Sequence, residues 1–209
     1  MTGRVLLLVE GLTEFLFVRD ALSPHLTSWV HPIIVKTKVD RQGAAYRGGY
    51  VTYSQMKRQL LALLADTSAI AVTTMFDFYA LPRDFPGLSG LPATLAAVEK
   101  VQRLETGLQN DVADSRFRPY LQLHEFEALL FADTAAINQK LGGDARRHVR
   151  LQQIRQSFAS PEEINDGVDT APSKRIQSVF PAYQKVLHGP QTAQSIGLAA
   201  DHPTRLQAG

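Results

Sequence analysis

The 209-residue sequence predicts an α/β protein, a parallel sheet of about four strands with helices on both faces, plus a mainly helical C-terminal extension. Three observations predict it. Val5–Val9 is an unbroken apolar run, and Ile70–Phe76 is an apolar and β-branched one, each of the length of a strand buried on both faces. Both runs end in an acid, Glu10 and Asp77. Helix-period segments then separate strand-like segments as far as residue 125, the alternation of a parallel sheet wrapped by crossover helices. Residues 1–133 are expected to form this α/β domain, and 134–209 a helical extension packed on it.

The elements follow in order. After Val5–Glu10 a helix is expected from about Thr13 to Leu26, with Thr13 as N-cap and Glu14 in the first turn, where the helix dipole favours a negative charge. A strand is expected within Trp29–Val39, and a loop over Asp40–Tyr50 that carries Gly43, Gly48, Gly49, Arg41 and Arg47. Met56, Leu60, Leu61, Leu63 and Leu64 mark a helical stripe between about Tyr53 and Asp66. The strand Ile70–Asp77 leads into the Pro- and Gly-rich loop LPRDFPGLSGLP. Leu95, Val98, Val101, Leu104 and Leu108 mark another helix, and PYLQLHEFEALLF reads as a strand turning into a helix near His124.

Composition narrows the setting. A content of 44% hydrophobic and 20% charged residues is that of an ordinary globular domain, and the length suffices for a sizeable core. The absence of cysteine excludes disulfides and thiolate metal sites and fits a reducing cytoplasm. No apolar stretch approaches a membrane span, and the N-terminus lacks the layout of a signal peptide. A net charge of +2 is too small to identify a partner.

Right-handed crossovers place the C-terminal ends of all the strands on one edge of the sheet, where open α/β proteins bind ligands. Glu10, Asp77 and the His124, Glu125, Glu127 group should gather there. Crowded carboxylates repel one another unless a cation neutralises them, and hard oxygen ligands suit Mg²⁺ or Mn²⁺. Such a centre activates water and holds a phosphodiester for attack. Simpler roles stand beside this one. A single acid at a strand end is more often a helix cap or a solvated turn residue, Glu14 is explained by the helix dipole, and His124 is equally a structural hydrogen-bonding residue.

VEGLTE and the strand ending in Asp77 resemble the Toprim fold of topoisomerases, primases and the nucleases of the overcoming-lysogenization-defect group. In that family a glutamate ends the first strand and an Asp-x-Asp pair ends the third, together holding divalent metal. Glu10 and Asp77 stand at those positions, and Glu14 matches the second acid of the nuclease-type Glu-Gly-x-x-Glu pattern. The wording is more similar still to a bacterial Toprim-like family of unknown function, through VEGLTE, GGYVTY, MFDFYALPRDFPG, PYLQLHEFEALLF and INDGVDTAPSKRIQSVFPAYQKVLHG. The resemblance implies an accessory nuclease of an antiphage defence system that acts with an ATPase partner on DNA or RNA, and a homo-oligomer is compatible with it. Two departures stand out. Tyr79 occupies the place of the second aspartate, leaving Asp84, Glu125 or Glu127 to supply the missing ligand. The final AADHPTRLQAG lacks the aromatic-containing helix expected of close relatives, so the last dozen residues are expected to be altered or truncated.

Basic residues complete the expectation. TAPSKRI places Lys174 and Arg175 just inside a helix that Ser173 is suited to cap, and the resemblance implies that Lys174 reaches the scissile phosphate. Arg41, Arg47, Arg146, Arg147 and Arg150 are suited to tracking a nucleic-acid backbone, although surface arginines on helices are commonplace. The metal-ligand candidates are therefore Glu10, Glu14, Asp77, Asp84 and Glu125, and the catalytic candidates Glu10, Asp77 and Lys174. A phosphoacceptor receiver domain fits poorly, because Gly11 and Leu12 follow Glu10 and no fifth strand ends in lysine. A catalytically degenerate Toprim-like binding or regulatory subunit is the alternative, with Tyr79 in its favour.

Overall fold

The computed structural model describes residues 4–26, 30–34, 36–39, 45–47, 52–165 and 169–197. The chain runs β1 (Arg4–Val9), α1 (Leu12–Phe17), β2 (Val30–Ile34), β3 (Lys36–Val39), β4 (Ala45–Arg47), α2 (Tyr53–Leu64), β5 (Ala69–Asp77), α3 (Ala97–Val112), β6 (Phe117–Arg118), β7 (Leu121–Gln122), α4 (Glu127–Leu130), α5 (Thr134–Lys140), α6 (Ala145–Gln156), α7 (Pro172–Val179) and α8 (Lys185–Ile196). The main sheet is parallel throughout, in the order β2-β1-β5-β6, with β7 also on β5. A small antiparallel pair, β3-β4, lies off it. Among the described residues no helix is long and apolar enough to cross a membrane.

The last strand is broken because Pro119 has no N–H to give the ladder. β6 pairs with Val72 and Thr73, and β7 with Phe76 and Asp77. Across the gap the buried Thr74 hydroxyl donates to the Tyr120 carbonyl (2.9 Å) and accepts from the Tyr120 N–H (3.0 Å). One side chain thus satisfies both backbone groups that the interrupted ladder leaves open.

The strand order explains which helices cover which face. The connection from β1 runs outward to β2, whereas the connection from β2 returns across β1 to β5 and the next continues to β6. With right-handed crossovers this reversal puts α1 on one face and α2 and α3 on the other. Two apolar clusters bear this out. Leu6, Leu8, Val72 and Phe76 pack with Met56, Leu60 and Leu64 of α2 and with Val101, Leu104 and Leu108 of α3. Leu7, Val9 and Met75 pack with Phe17 of α1 and then with Phe131, Ile137, Leu151, Ile176 and Ala193. The six residues of α1 cannot cover a sheet face alone, so the helices after residue 134 share one core with it.

Several local expectations are corrected. Gly11, not Thr13, is the N-cap of α1, while Thr13 is buried inside the first turn. Glu14 reaches back to accept the Gly11 N–H (3.0 Å), the carboxylate half of a capping box. Past Phe17 the helix widens into a π turn over Val18–Leu22, with the Ser23 N–H donating to the Val18 carbonyl. Leu61, expected in the buried stripe of α2, is exposed. The Trp29–Val39 stretch holds two strands, and Ala45–Arg47, expected as loop, pairs with the second. Arg41, Gly43, Gly48, Gly49, the side chain of Arg47 and the C-terminal AADHPTRLQAG lie outside the described residues.

The Thr74 bridge gives a test of the fold. Thr74→Val keeps the shape and removes both hydrogen bonds to the part-buried Tyr120 backbone, at a cost of about 1–3 kcal/mol. Urea denaturation should show a lower midpoint with an unchanged slope. An unchanged midpoint would show that the bridge carries no stability.

Candidate functional site

The strand order reverses between β1 and β5, so the crevice beyond their C-terminal ends is the topological switch point of the sheet. Val9 is in register with Met75. Glu10 and Asp77 therefore leave neighbouring strands at almost the same level. The backbone of Asp77 donates a hydrogen bond to Glu10. Glu14, buried one helical turn beyond Glu10, adds its field to both. From the broken edge strand come Glu125 and Glu127, the latter fully buried at the start of α4.

Lys185 joins these acids. Its Nζ lies 3.1 Å from Glu127 Oε2, 3.8 Å from Glu125 Oε1 and 3.9 Å from Asp77 Oδ2. The lysine is the first residue of α8, and α8 comes this close because Gly189 lies one turn on. A Cβ at Gly189 would stand 3.1 Å from the Phe126 ring and 3.2 Å from the Tyr183 hydroxyl. That hydroxyl donates to Glu127 Oε1 (3.3 Å), so Glu127 is gripped from two directions.

Burial and mutual repulsion set the protonation of the cluster. Burial, then the charge of Glu14, pushes Glu10 up to about 7 against the pull of the Asp77 N–H and Lys185. Burial likewise pushes Glu127 up to about 7, with Glu125 adding to the rise and Lys185 opposing it. Asp77 is driven well above the ordinary carboxylate range by burial, then by Glu14, Glu10 and Glu127. Burial works against the Lys185 charge, but Glu127, Asp77, Glu125 and Glu14 outweigh it and keep the ammonium protonated. One ammonium thus faces five carboxyl groups.

Of the residues expected in the site, the structure gathers Glu10, Glu14, Asp77, Glu125 and Glu127. It does not gather Asp84, which is exposed and accepts the Tyr53 N–H (3.2 Å) at the start of α2. Lys174 is exposed on α7. Its neighbour Ser173 does not cap that helix. The Ser173 N–H instead donates to Glu125 Oε2 (3.1 Å), so Glu125 serves the α7 N-terminus and the acid cluster together. Tyr79 is exposed and stacks on His124, with ring centroids 5.3 Å apart. His124 is buried, and its Nδ1 accepts from Asn165 Nδ2 (3.3 Å). Arg146, Arg147 and Arg150 are exposed on α6, where Arg147 covers the Phe180 ring and Arg150 donates to the Ser178 carbonyl. Lys185 and Tyr183 were not singled out in the sequence. Their only signal is their place in AYQKVLHG.

The donor set is all hard oxygen, and Asp77 Oδ1 is buried with no hydrogen-bond donor among the described residues. Both features fit a divalent cation. Among the described residues, no three His, Cys, Asp or Glu side chains are arranged as a ready ligand set. Lys185 stands among the acids instead.

The chain belongs to the family described as domain of unknown function (DUF4276), whose model matches residues 9–201. No curated protein and no solved structure matches it.

The raised carboxyl groups give the metal-free protein a pH signature. Glu10 and Glu127 hold their protons more tightly folded, at about 7, than unfolded, at about 4.5. Their contribution to stability is therefore greatest below about 4.5 and is lost as pH rises through about 7. Thermal unfolding in chelator should show Tm falling between pH 5 and pH 7.5, with a shallower fall in Glu10→Gln. A Tm that is flat or rises over this window would contradict the crowding.

Proposed function

We propose that this DUF4276 chain is a Toprim-type, divalent-metal-dependent nuclease that hydrolyses phosphodiesters of DNA or RNA. The observation that carries the reading is the crowding of five carboxyl groups around one ammonium at the switch point of the sheet. Acids in such excess form a poor structural core and a good cation site. Glu10, Asp77 and Glu127 would hold Mg²⁺ or Mn²⁺, with Glu14 and Glu125 beside them. When bound, the cation supplies an activated water and neutralises charge on a phosphate.

The chain's own residues do the rest. Lys174 follows Ser173, whose N–H is bonded to Glu125, so its exposed ammonium projects from a helix anchored to the acid cluster. There it would balance charge developing on the phosphate. The sequence carries no motif for nucleotide hydrolysis and no recognisable sequence-reading module. Targeting is assigned to an ATPase partner, in a cytoplasmic antiphage system, with a homo-oligomer compatible with this arrangement.

A degenerate, regulatory Toprim-like subunit is the second reading. Lys185 favours it, because an ammonium already neutralises part of the cluster, and so does Tyr79, stacked on His124 where the general Toprim pattern has an aspartate.

The test is nicking of plasmid DNA and cleavage of tRNA in Mg²⁺ or Mn²⁺, with and without the ATPase. Glu10→Ala and Asp77→Ala should lose cleavage and Mn²⁺ binding by more than the ~10–100-fold that loss of an outer-shell partner costs. Lys174→Ala should slow cleavage about 10²-fold and leave Mn²⁺ binding unchanged. A complete complex that binds nucleic acid and leaves it uncut, with Glu10→Ala still protecting cells from phage, would establish the regulatory reading.

A further inference from the structure

We propose that Lys185 and a divalent cation are alternative occupants of the same carboxylates, so that metal loading turns the Lys185 ammonium out of the acid cluster. The inference rests on the metal-site reading above and specifies how that site is kept when no metal is bound.

Three contacts define the shared ground. Lys185 Nζ lies within 4 Å of Asp77, Glu125 and Glu127, which come from the end of β5 and from the edge-strand turn into α4. Glu127 is fully buried and Asp77 is 9% exposed, so leaving both ionised without a cation would be costly. Lys185 is the cation they share among the described residues, and it holds the metal-free cluster together. Asp77 also presents a buried Oδ1 that has no hydrogen-bond donor among the described residues.

A divalent ion bound to Asp77 and Glu127 would sit within a few ångströms of the ammonium. Two cations that close, in a partly desolvated crevice, repel strongly. One of them must leave. The lysine can do so without unwinding any helix, because it is the first residue of α8 and its side chain is already 35% exposed. Its flexible four-carbon stem lets the ammonium swing to water by rotamer changes alone. Glu127 cannot follow, being fully buried and held by the Tyr183 hydroxyl.

Lys185 therefore sets metal affinity. Removing its charge should tighten Mn²⁺ binding by about 5–150-fold, the usual range for coupling between two ligands. The measurement is calorimetric titration of Mn²⁺ at pH 8.5, above the value of about 7 to which Glu10 and Glu127 are pushed, into the wild type, Lys185→Met and Asp77→Ala. Tighter binding in Lys185→Met, with binding lost in Asp77→Ala, is the expected result. Equal or weaker binding in a folded Lys185→Met, with the Asp77 dependence intact, would leave the metal site standing and overturn the competition. Absence of Mn²⁺ binding in wild type and Lys185→Met alike would overturn the metal site and the competition together. A second measurement uses the wild type alone. The Lys185 side-chain resonance, assigned by its loss in Lys185→Arg, should move toward that of an exposed lysine as Mg²⁺ saturates the protein. A resonance unmoved at saturation would place Lys185 outside the exchange even if Lys185→Met failed to fold.

Discussion

Carboxyl groups gathered where β1 and β5 part company are the constraint around which this protein is built. A parallel sheet brings strand ends to one edge, and the reversal of strand order opens a crevice between these two strands in particular. Glu10 and Asp77 flank that crevice because they sit one and two residues beyond a registered pair. Burial and the neighbouring acids push their pKa values up, and Lys185, arriving from far along the chain, opposes that rise.

That dependence reaches into the architecture. Lys185 occupies its place because α8 lies close against Phe126 and Tyr183 at Gly189, and α8 in turn helps to cover the face that α1 leaves bare. The C-terminal helices thus complete the core and also deliver a charge. Glu125 shows the same economy, since one carboxylate receives the α7 backbone and faces the Lys185 ammonium. Packing and electrostatics at this edge cannot be altered separately.

Much of the fold was legible because its signals are local. The apolar runs before Glu10 and Asp77 are strands, and Val101, Leu104 and Leu108 fall on one buried helical stripe, as their spacing implies. The meeting of Glu10, Asp77, Glu125 and Glu127 followed from parallel geometry, whereas Glu14 entered through its match to the Glu-Gly-x-x-Glu pattern. What escaped depends on contacts between distant segments. Lys185 looks like any surface lysine until its three acidic partners, all far upstream, are folded beside it. Asp84 looked like a ligand because it follows Asp77 closely, yet its carboxylate is drawn to the open N–H at the start of α2. Thr13 had the chemistry of a cap, but the chain turns two residues earlier, at Gly11, and leaves Thr13 buried.

The most direct measurement is carboxyl-carbon NMR of the metal-free protein, titrated from pH 3 to pH 9 with side-chain labelling of Asp and Glu. If the acids are crowded as described, Glu10 and Glu127 titrate near 7, and Glu14→Gln moves Glu10 down toward its ordinary 4.5. Titration of both groups at that ordinary value in the wild type, with Glu14→Gln without effect, would contradict the account.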